Sequence, residues 1–450
     1  MKTIAQTHTI LDIHSENRMT AATLSSGILT EIAGHSIPEL ARKFGTPAYI
    51  YDAATICDKI AQLAEFDTVR YAQKACSNIA IVDLMRRNGV LVDAVSAGEV
   101  KRAMAAGYRP GQATHPTEIV YTADIFDHEA LEIVIEQDIH VNCGSPDMID
   151  QYGAAVAERG RGGSPRGITL RVNPGFGHGH SQKVNTGGAQ SKHGIWHEQL
   201  EDCIERATKW NLSITGLHMH IGSGTDLEHL SEVCGAMERA AMTIGASITS
   251  ISAGGGLPVP YREGQQYVDV AAYYKLWDAA RHRLANQFGH EVALELEPGR
   301  FLVAESGYLI SEIRAIKTAG ENTFYLLDAG FNNLARPILY GAYHPMAICP
   351  ASGNAESRPV KNAIVGGPLC ESGDIFTQEE GGFVSSRALP AAKVGDFLVI
   401  GVAGAYSYAM ASNYNTKPLV AEVLIEDGKA NLVRRRQTLD EIMALESIPR

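Results

Sequence analysis

The sequence predicts an α/β plus β protein: a (β/α)8 barrel joined to a second, mostly β domain. Three observations carry this. Between Phe66 and Arg300, eight short apolar runs alternate with seven amphipathic stretches, the rhythm of parallel strands joined by helical crossovers. No Gly-x-Gly-x-x-Gly follows the first run, as an open doubly wound sheet built for a dinucleotide would show. After Arg300 the helical rhythm gives way to alternating segments of the kind that form half-buried strands.

The eight expected strands are Phe66–Ala75, Leu91–Ser96, Glu118–Ala123, His140–Ser145, Gly167–Pro174, Ser213–Gly222, Ser247–Gly256 and Val292–Arg300. The crossovers are Ile79–Asn88, Glu99–Ala106, His128–Gln137, Asp147–Glu158, Glu198–Trp210, Leu227–Ile244 and Val268–Phe288. The one long interruption, Gly175–His197, is rich in Gly, His and Ser and reads as a loop or lid at the mouth of the fifth strand. In the second domain, strands are expected within Phe301–Lys317, Thr323–Asp328, Ala363–Val365, Asp396–Val402, Leu419–Ile425 and Ala430–Arg434, with a polar loop over 350–362. The expected division is an N-terminal segment, 1–46, packing with the β domain, a barrel over 47–305, and the β domain over 306–450.

Composition excludes several classes. With 450 residues, 45% hydrophobic and 20% charged, the chain buries a large core and is not disordered. Lys+Arg 39 against Asp+Glu 51 gives a net charge of −12 with no basic run, which argues against nucleic acid as a partner. Seven scattered cysteines without a Cys-x-x-Cys suggest neither a disulfide framework nor zinc, and fit a reducing cytosol. No stretch approaches eighteen apolar residues, so no membrane span is expected.

In such a barrel, chemistry sits at the C-terminal ends of the strands. Lys74 ends the first, where a lysine can be sheltered enough to lose its proton and attack a carbonyl. Gly254, Gly255 and Gly256 end the seventh; without Cβ atoms their N–H groups can meet a phosphate. Ser223 adds a hydroxyl, and Gly299 and Arg300 add N–H groups and a guanidinium beside the eighth strand. His218 and His220 point to the same face of the sixth strand. One His pair without further ligands is no zinc signature, so no metal is expected; His220 offers a flat ring for an aromatic cofactor. With Glu297 as partner for a pyridine nitrogen, these residues suggest pyridoxal 5′-phosphate, an electron sink for a carbanion.

The ordered motifs carry a resemblance. They are Tyr-Ala-Gln-Lys-Ala-Cys-Ser-Asn at 71–78, Asp-Ala-Val-Ser-Ala-Gly-Glu at 93–99, His-Met-His-Ile-Gly-Ser-Gly at 218–224, Gly-Gly-Gly at 254–256 and Glu-Pro-Gly-Arg at 297–300. Arg-Pro-Ile-Leu-Tyr-Gly at 336–341, Cys-Glu-Ser-Gly-Asp at 370–374, Gly-Ala-Tyr at 404–406 and Ser-Asn-Tyr-Asn at 412–415 follow. From about Thr46 to Arg436 the chain resembles the diaminopimelate decarboxylase family, pyridoxal-phosphate enzymes of the alanine-racemase and ornithine-decarboxylase fold. The resemblance implies that Lys74 carries the cofactor, His220 stacks on its ring and Glu297 meets its ring nitrogen. It implies that Ser223, Gly256, Gly299 and Tyr406 help hold it, and that Arg300, Arg336, Tyr340, Glu371 and Tyr406 recognise substrate. Cys370 becomes the proton donor, contributed across a homodimer interface to the other subunit's site.

The residue chemistry agrees with that assignment. Meso-diaminopimelate carries an amine and a carboxylate at each end; Arg300 and Arg336 can fork onto the distal carboxylate and Glu371 can take the ammonium. The expected activity is decarboxylation at the D-centre to L-lysine and carbon dioxide, the last step of lysine biosynthesis, in the cytoplasm. The rival substrates ornithine, lysine and arginine lack the carboxylate that would explain Arg336. A racemase would prefer Arg where Glu297 stands, and a silent regulator would have lost Lys74 or Cys370. One departure from the family is Ala-Cys-Ser-Asn after the lysine, where many relatives read Ala-Asn; it is expected to move the first helix without touching the chemistry.

Overall fold

The computed structural model of the chain describes residues 27–112, 116–160, 165–177, 187–220 and 227–449. Its larger part is a closed barrel of eight parallel strands: Thr68–Ala72, Leu91–Ala94, Ile119–Ala123, His140–Cys143, Arg166–Asn173, Leu212–His218, Ser250–Ser252 and Ala293–Leu296. The eighth pairs with the first, Leu296 opposite Val69, which closes the ring. Six of the eight fall inside their expected runs, and the fifth and sixth begin one residue before theirs, at Arg166 and Leu212. Most are shorter than expected, and where a run extends past its strand the tail leaves the ladder at the mouth. At the first strand the tail is a short 3-10 turn, Gln73–Ala75, which carries Lys74.

Side-chain caps start several crossover helices. Asn78 accepts from Ala80 N, Ser96 from Glu99 N, Asp127 from Ala130 N and Asp269 from Ala272 N, each satisfying an N–H that the helix leaves unpaired. Gly289 ends the longest crossover in the left-handed conformation, φ 75°, which glycine adopts without Cβ strain. The capping by Asn78 gives the departure noted after Lys74 a structural place: that asparagine opens the helix Ile79–Arg87.

The second sheet is built around the long strand Gly307–Ala319, which pairs with Asn322–Leu327, Phe397–Ile400 and Ala48–Asp52. Ala48–Asp52 also pairs in parallel with Ala421–Glu426. The expected barrel boundary at residue 47 is thereby corrected: this apolar strand belongs to the second sheet, and the chain enters the barrel only after the helix Ala53–Ala61. Its alternation could not say which sheet would take it, because the hydrogen bonds that decide come from residues more than 250 positions away. Phe301, expected to begin a strand, lies instead in the short helix Arg300–Val303. Two strands, Met346–Cys349 and Arg387–Pro390, were not expected, and Val360–Gly366 begins inside the expected 350–362 loop. Among the described residues, no helix is long and apolar enough to cross a membrane.

The barrel and second sheet share one core, while the sheet's other face packs on Ile37 and Leu40 of the helix Ile37–Phe44. Where barrel and sheet meet, the backbone is tight enough that a Cβ on Gly404 would clash with Val303 O.

Candidate active site

The loop that carries Lys74 is fixed from four sides. Gln73, fully buried, donates through Nε2 to Glu99 O at 3.1 Å, and Tyr71 Oη donates to Cys76 O at 2.9 Å. Arg102 Nη1 donates to Ser77 O at 2.7 Å, and Tyr406 N donates to Ala75 O at 2.8 Å. Asn78 Nδ2 reaches across to the buried Glu422 at 2.9 Å, whose other oxygen accepts from Tyr51 at 2.8 Å. Both barrel and second sheet therefore hold the loop, and Lys74 projects from it into a cavity of about 290 Å³ at the mouth.

One wall of that cavity is the glycine cup. Gly255 donates its N–H to His220 Nδ1 at 2.7 Å, and a Cβ there would lie 2.6 Å from Glu297 O. Gly256 and Gly299 line the same wall. Gly254, at φ +64°, shapes the turn, its N–H going to Ser252 Oγ at 3.1 Å, and does not line the cavity. Ser223 lies outside the described residues. Because His220 Nδ1 accepts, the neutral ring carries its proton on Nε2. Burial first, then the charges of Arg171 and Lys74, hold His220 well below the ordinary histidine range, so a flat, uncharged ring faces the mouth. His218 lies parallel to it, 3° between planes.

Glu297 forms the floor. Ser252 Oγ donates to its Oε1 at 2.8 Å, and His218 Nε2 lies 2.8 Å from Oε2. Burial would raise the Glu297 pKa, but His218, Ser252 and Arg70 outweigh it and keep the carboxyl ionised. Asp93, at the end of the second strand, moves the other way: burial, then the Glu297 charge, raises it. The two buried carboxyls are thus pushed in opposite directions, Asp93 up and Glu297 down.

Arg300 and Arg336 bring two guanidiniums to the lining, beside Tyr340 and Tyr406. Tyr406 sits at φ +55°, a conformation costing a non-glycine residue about 1–2 kcal/mol, and its N–H bond to Ala75 O is among the contacts that hold it there. Cys370 and Glu371 do not join this cavity. Both are exposed, with Cys370 N bound to Asn415 Oδ1 at 2.8 Å.

The structure thus brings together Lys74, His220, Gly255, Gly256, Glu297, Gly299, Arg300, Arg336, Tyr340 and Tyr406, and leaves Gly254, Cys370 and Glu371 off the wall. It also adds Asp93, Thr122 and Arg171, which the sequence reading missed. A signal existed: each is a polar residue near the end of an apolar strand run, as Lys74 and Glu297 are. Met410 carries no such mark, because it arrives from the second domain.

These residues fit pyridoxal 5′-phosphate. The cup is a surface that side chains would fill, Lys74 is presented to the same space, and an ionised carboxylate waits where a protonated ring nitrogen would need one. The fold and site therefore define a class, the pyridoxal-phosphate enzymes built on a (β/α)8 barrel. Residues 54–304 match the family model described as pyridoxal-dependent decarboxylase, pyridoxal binding domain. The chain is 53% identical over 419 residues to diaminopimelate decarboxylase of Escherichia coli K12, covering 93% of this chain and 97% of that protein. It is 50% identical over 416 residues to the enzyme of the same name from Streptomyces coelicolor, covering 92% of each. A crystal structure of a diaminopimelate decarboxylase superposes with a TM-score of 0.86 at 53% identity, covering 91% of this chain and 95% of that one. A Helicobacter pylori diaminopimelate decarboxylase complexed with L-lysine gives 0.80 at 28% identity, covering 90% and 98%. The chain belongs to the diaminopimelate decarboxylase family.

Proposed function

We propose that the protein removes the carboxylate at the D-centre of meso-2,6-diaminopimelate, giving L-lysine and carbon dioxide. The observation that carries this reading is one cavity lined together by an amine, a buried carboxylate and two guanidiniums: Lys74, Glu297, Arg300 and Arg336. Pyridoxal 5′-phosphate, when bound, supplies the sink for the electron pair left by carbon dioxide. Lys74 would be the amine that holds it. The Gly255, Gly256 and Gly299 backbones and Tyr406 hold it, with Gly254 shaping the turn. His220 offers its uncharged face, and Glu297 keeps a proton at the ring nitrogen. At the far end Arg300 and Arg336, with Tyr340, take the distal carboxylate, which orients the scissile bond.

Cys370 supplies the proton to the α-carbon and Glu371 takes the distal ammonium, both from a second copy of the chain. Their exposure and their absence from their own cavity support a homodimer with shared sites. A decarboxylase of ornithine, lysine or arginine would have no carboxylate for Arg336.

The test is carbon dioxide release by the purified protein with cofactor, given meso-diaminopimelate, ornithine or lysine in separate reactions. Release from meso-diaminopimelate alone is expected; release from ornithine alone overturns the substrate assignment.

A further inference from the structure

Arginines near a substrate pocket are commonly tied to carboxylates, which neutralises them before a ligand arrives. Here they are not. Among the described residues, the charged and polar neighbours of Arg300 and Arg336 are tyrosines, a histidine and each other. Arg300 Nη1 donates to Tyr261 Oη at 3.1 Å, while the Arg336 guanidinium lies over the Tyr261 ring at 4.7 Å. Arg336 Nη1 lies 2.9 Å from His344 Nε2, and His344 Nδ1 lies 3.1 Å from Gly401 O.

This chain of contacts fixes the tautomer. Gly401 O can only accept, so His344 Nδ1 carries the proton and Nε2 must accept from Arg336. His344 is fully buried, and burial together with Arg336 holds it well below the ordinary histidine range. Its ring stands edge-on to Tyr261, with centroids 5.4 Å apart and 84° between planes. Tyr261 is itself fixed from its backbone, since its N–H and that of Arg262 both donate to Gln265 Oε1, at 2.7 and 2.9 Å. A neutral acceptor and a π-face position a guanidinium without cancelling its charge.

We propose that Tyr261 and His344 are specificity-determining positioning residues, holding Arg300 and Arg336 in place through uncharged contacts so that the arginine pair meets the substrate's distal carboxylate unpaired. The inference rests on the function proposed above and deepens it. A carboxylate in place of either residue would occupy the guanidiniums and remove the preference for a dicarboxylic substrate. Neither Tyr261 nor His344 lines the cavity; both act through the arginines.

The experiment uses the holoenzyme with Tyr261→Phe, His344→Phe and His344→Gln. Glutamine keeps an acceptor for Arg336 and a donor for Gly401 O. Two competitive inhibitors separate the ends of the pocket: 2-aminopimelate, with a distal carboxylate, and lysine, with a distal amine only. In Tyr261→Phe and His344→Phe, inhibition by 2-aminopimelate and the KM for meso-diaminopimelate are expected to weaken about tenfold, the scale of one charge-assisted hydrogen bond. The lysine inhibition constant and kcat should stay within about threefold and the absorption band of bound cofactor should not move, the pattern of weakened binding with the chemical step intact. His344→Gln should restore most of the loss.

Dicarboxylate constants within twofold of the parent, or equal losses for both inhibitors, overturn the proposal. Should His344→Phe not fold, Tyr261→Phe, which removes a single oxygen, decides alone. If the parent releases no carbon dioxide from meso-diaminopimelate, the proposed function fails, while the dissociation constants of 2-aminopimelate and lysine, read by titrating the cofactor absorption of the holoenzyme, still report on the arginine pair.

Discussion

The interior and the mouth of the barrel use the same residue types in opposite conditions. In the interior, Arg70 is spent on Glu295 through two hydrogen bonds, at 2.7 and 3.1 Å, and gives a third at 2.6 Å to Thr117 O. At the mouth, Glu297, just past the end of the eighth strand, forms no ion pair with an arginine among the described residues and sits against His218 and Ser252. Among the described residues Arg300 and Arg336 have tyrosines, a histidine and each other as neighbours. A closed Arg–Glu pair satisfies both charges and stabilises structure. A carboxylate and guanidiniums that line one cavity without pairing leave both available to a ligand. The separation of charge, rather than the presence of charged residues, distinguishes the site from the core.

That contrast can be broken at either end. The largest effect is expected from Lys74→Ala, which should abolish turnover and the long-wavelength absorption of the cofactor–lysine linkage while thermal unfolding stays near the parent's. Retained activity in that variant would remove the mouth from the chemistry altogether. Next is Glu297→Gln, for which kcat should fall on the order of 10²-fold, the scale of losing one preorganised electrostatic partner, again at nearly unchanged stability. In the interior the pattern reverses. Arg70→Met strands a buried carboxylate and should cost about 3–5 kcal/mol in denaturant unfolding, with cofactor binding retained by the folded fraction; a Glu295→Leu second change should recover much of it.

The smallest effect concerns His344. A histidine whose folded pKa lies below its unfolded value contributes stability that is complete above the unfolded pKa near 6.5 and lost as pH falls toward the folded value. Between pH 7.5 and 5.5 the parent should therefore lose about 1 kcal/mol more unfolding free energy than His344→Gln. Equal slopes in the two proteins would show that the imidazole is not held neutral.

Much of this was legible before any coordinates. Period-two and period-3.6 patterning located all eight barrel strands, since each is an apolar run flanked by turn residues, and Lys74, Gly255 and Glu297 stood out because they end such runs. Asp93, Thr122 and Arg171 could have been found by the same signal. Tyr261 could not: it sits in a loop whose pattern says only that it is a loop. Nor could His344, which looks like any histidine beside a proline until Gly401 O and Arg336 are placed on its two nitrogens.

By itself the sequence determined the barrel, the family and the position of Lys74 at the mouth, because hydrophobic periodicity is local and the motifs are contiguous. Tertiary structure decided which sheet claims Ala48–Asp52, that Asp93 and Glu297 are pushed in opposite directions, and that Arg300 and Arg336 have no carboxylate partner among the described residues. Each of those outcomes depends on distance and burial between residues far apart in the chain. Electrostatic energy follows separation and desolvation in space, and neither quantity is encoded at a single position.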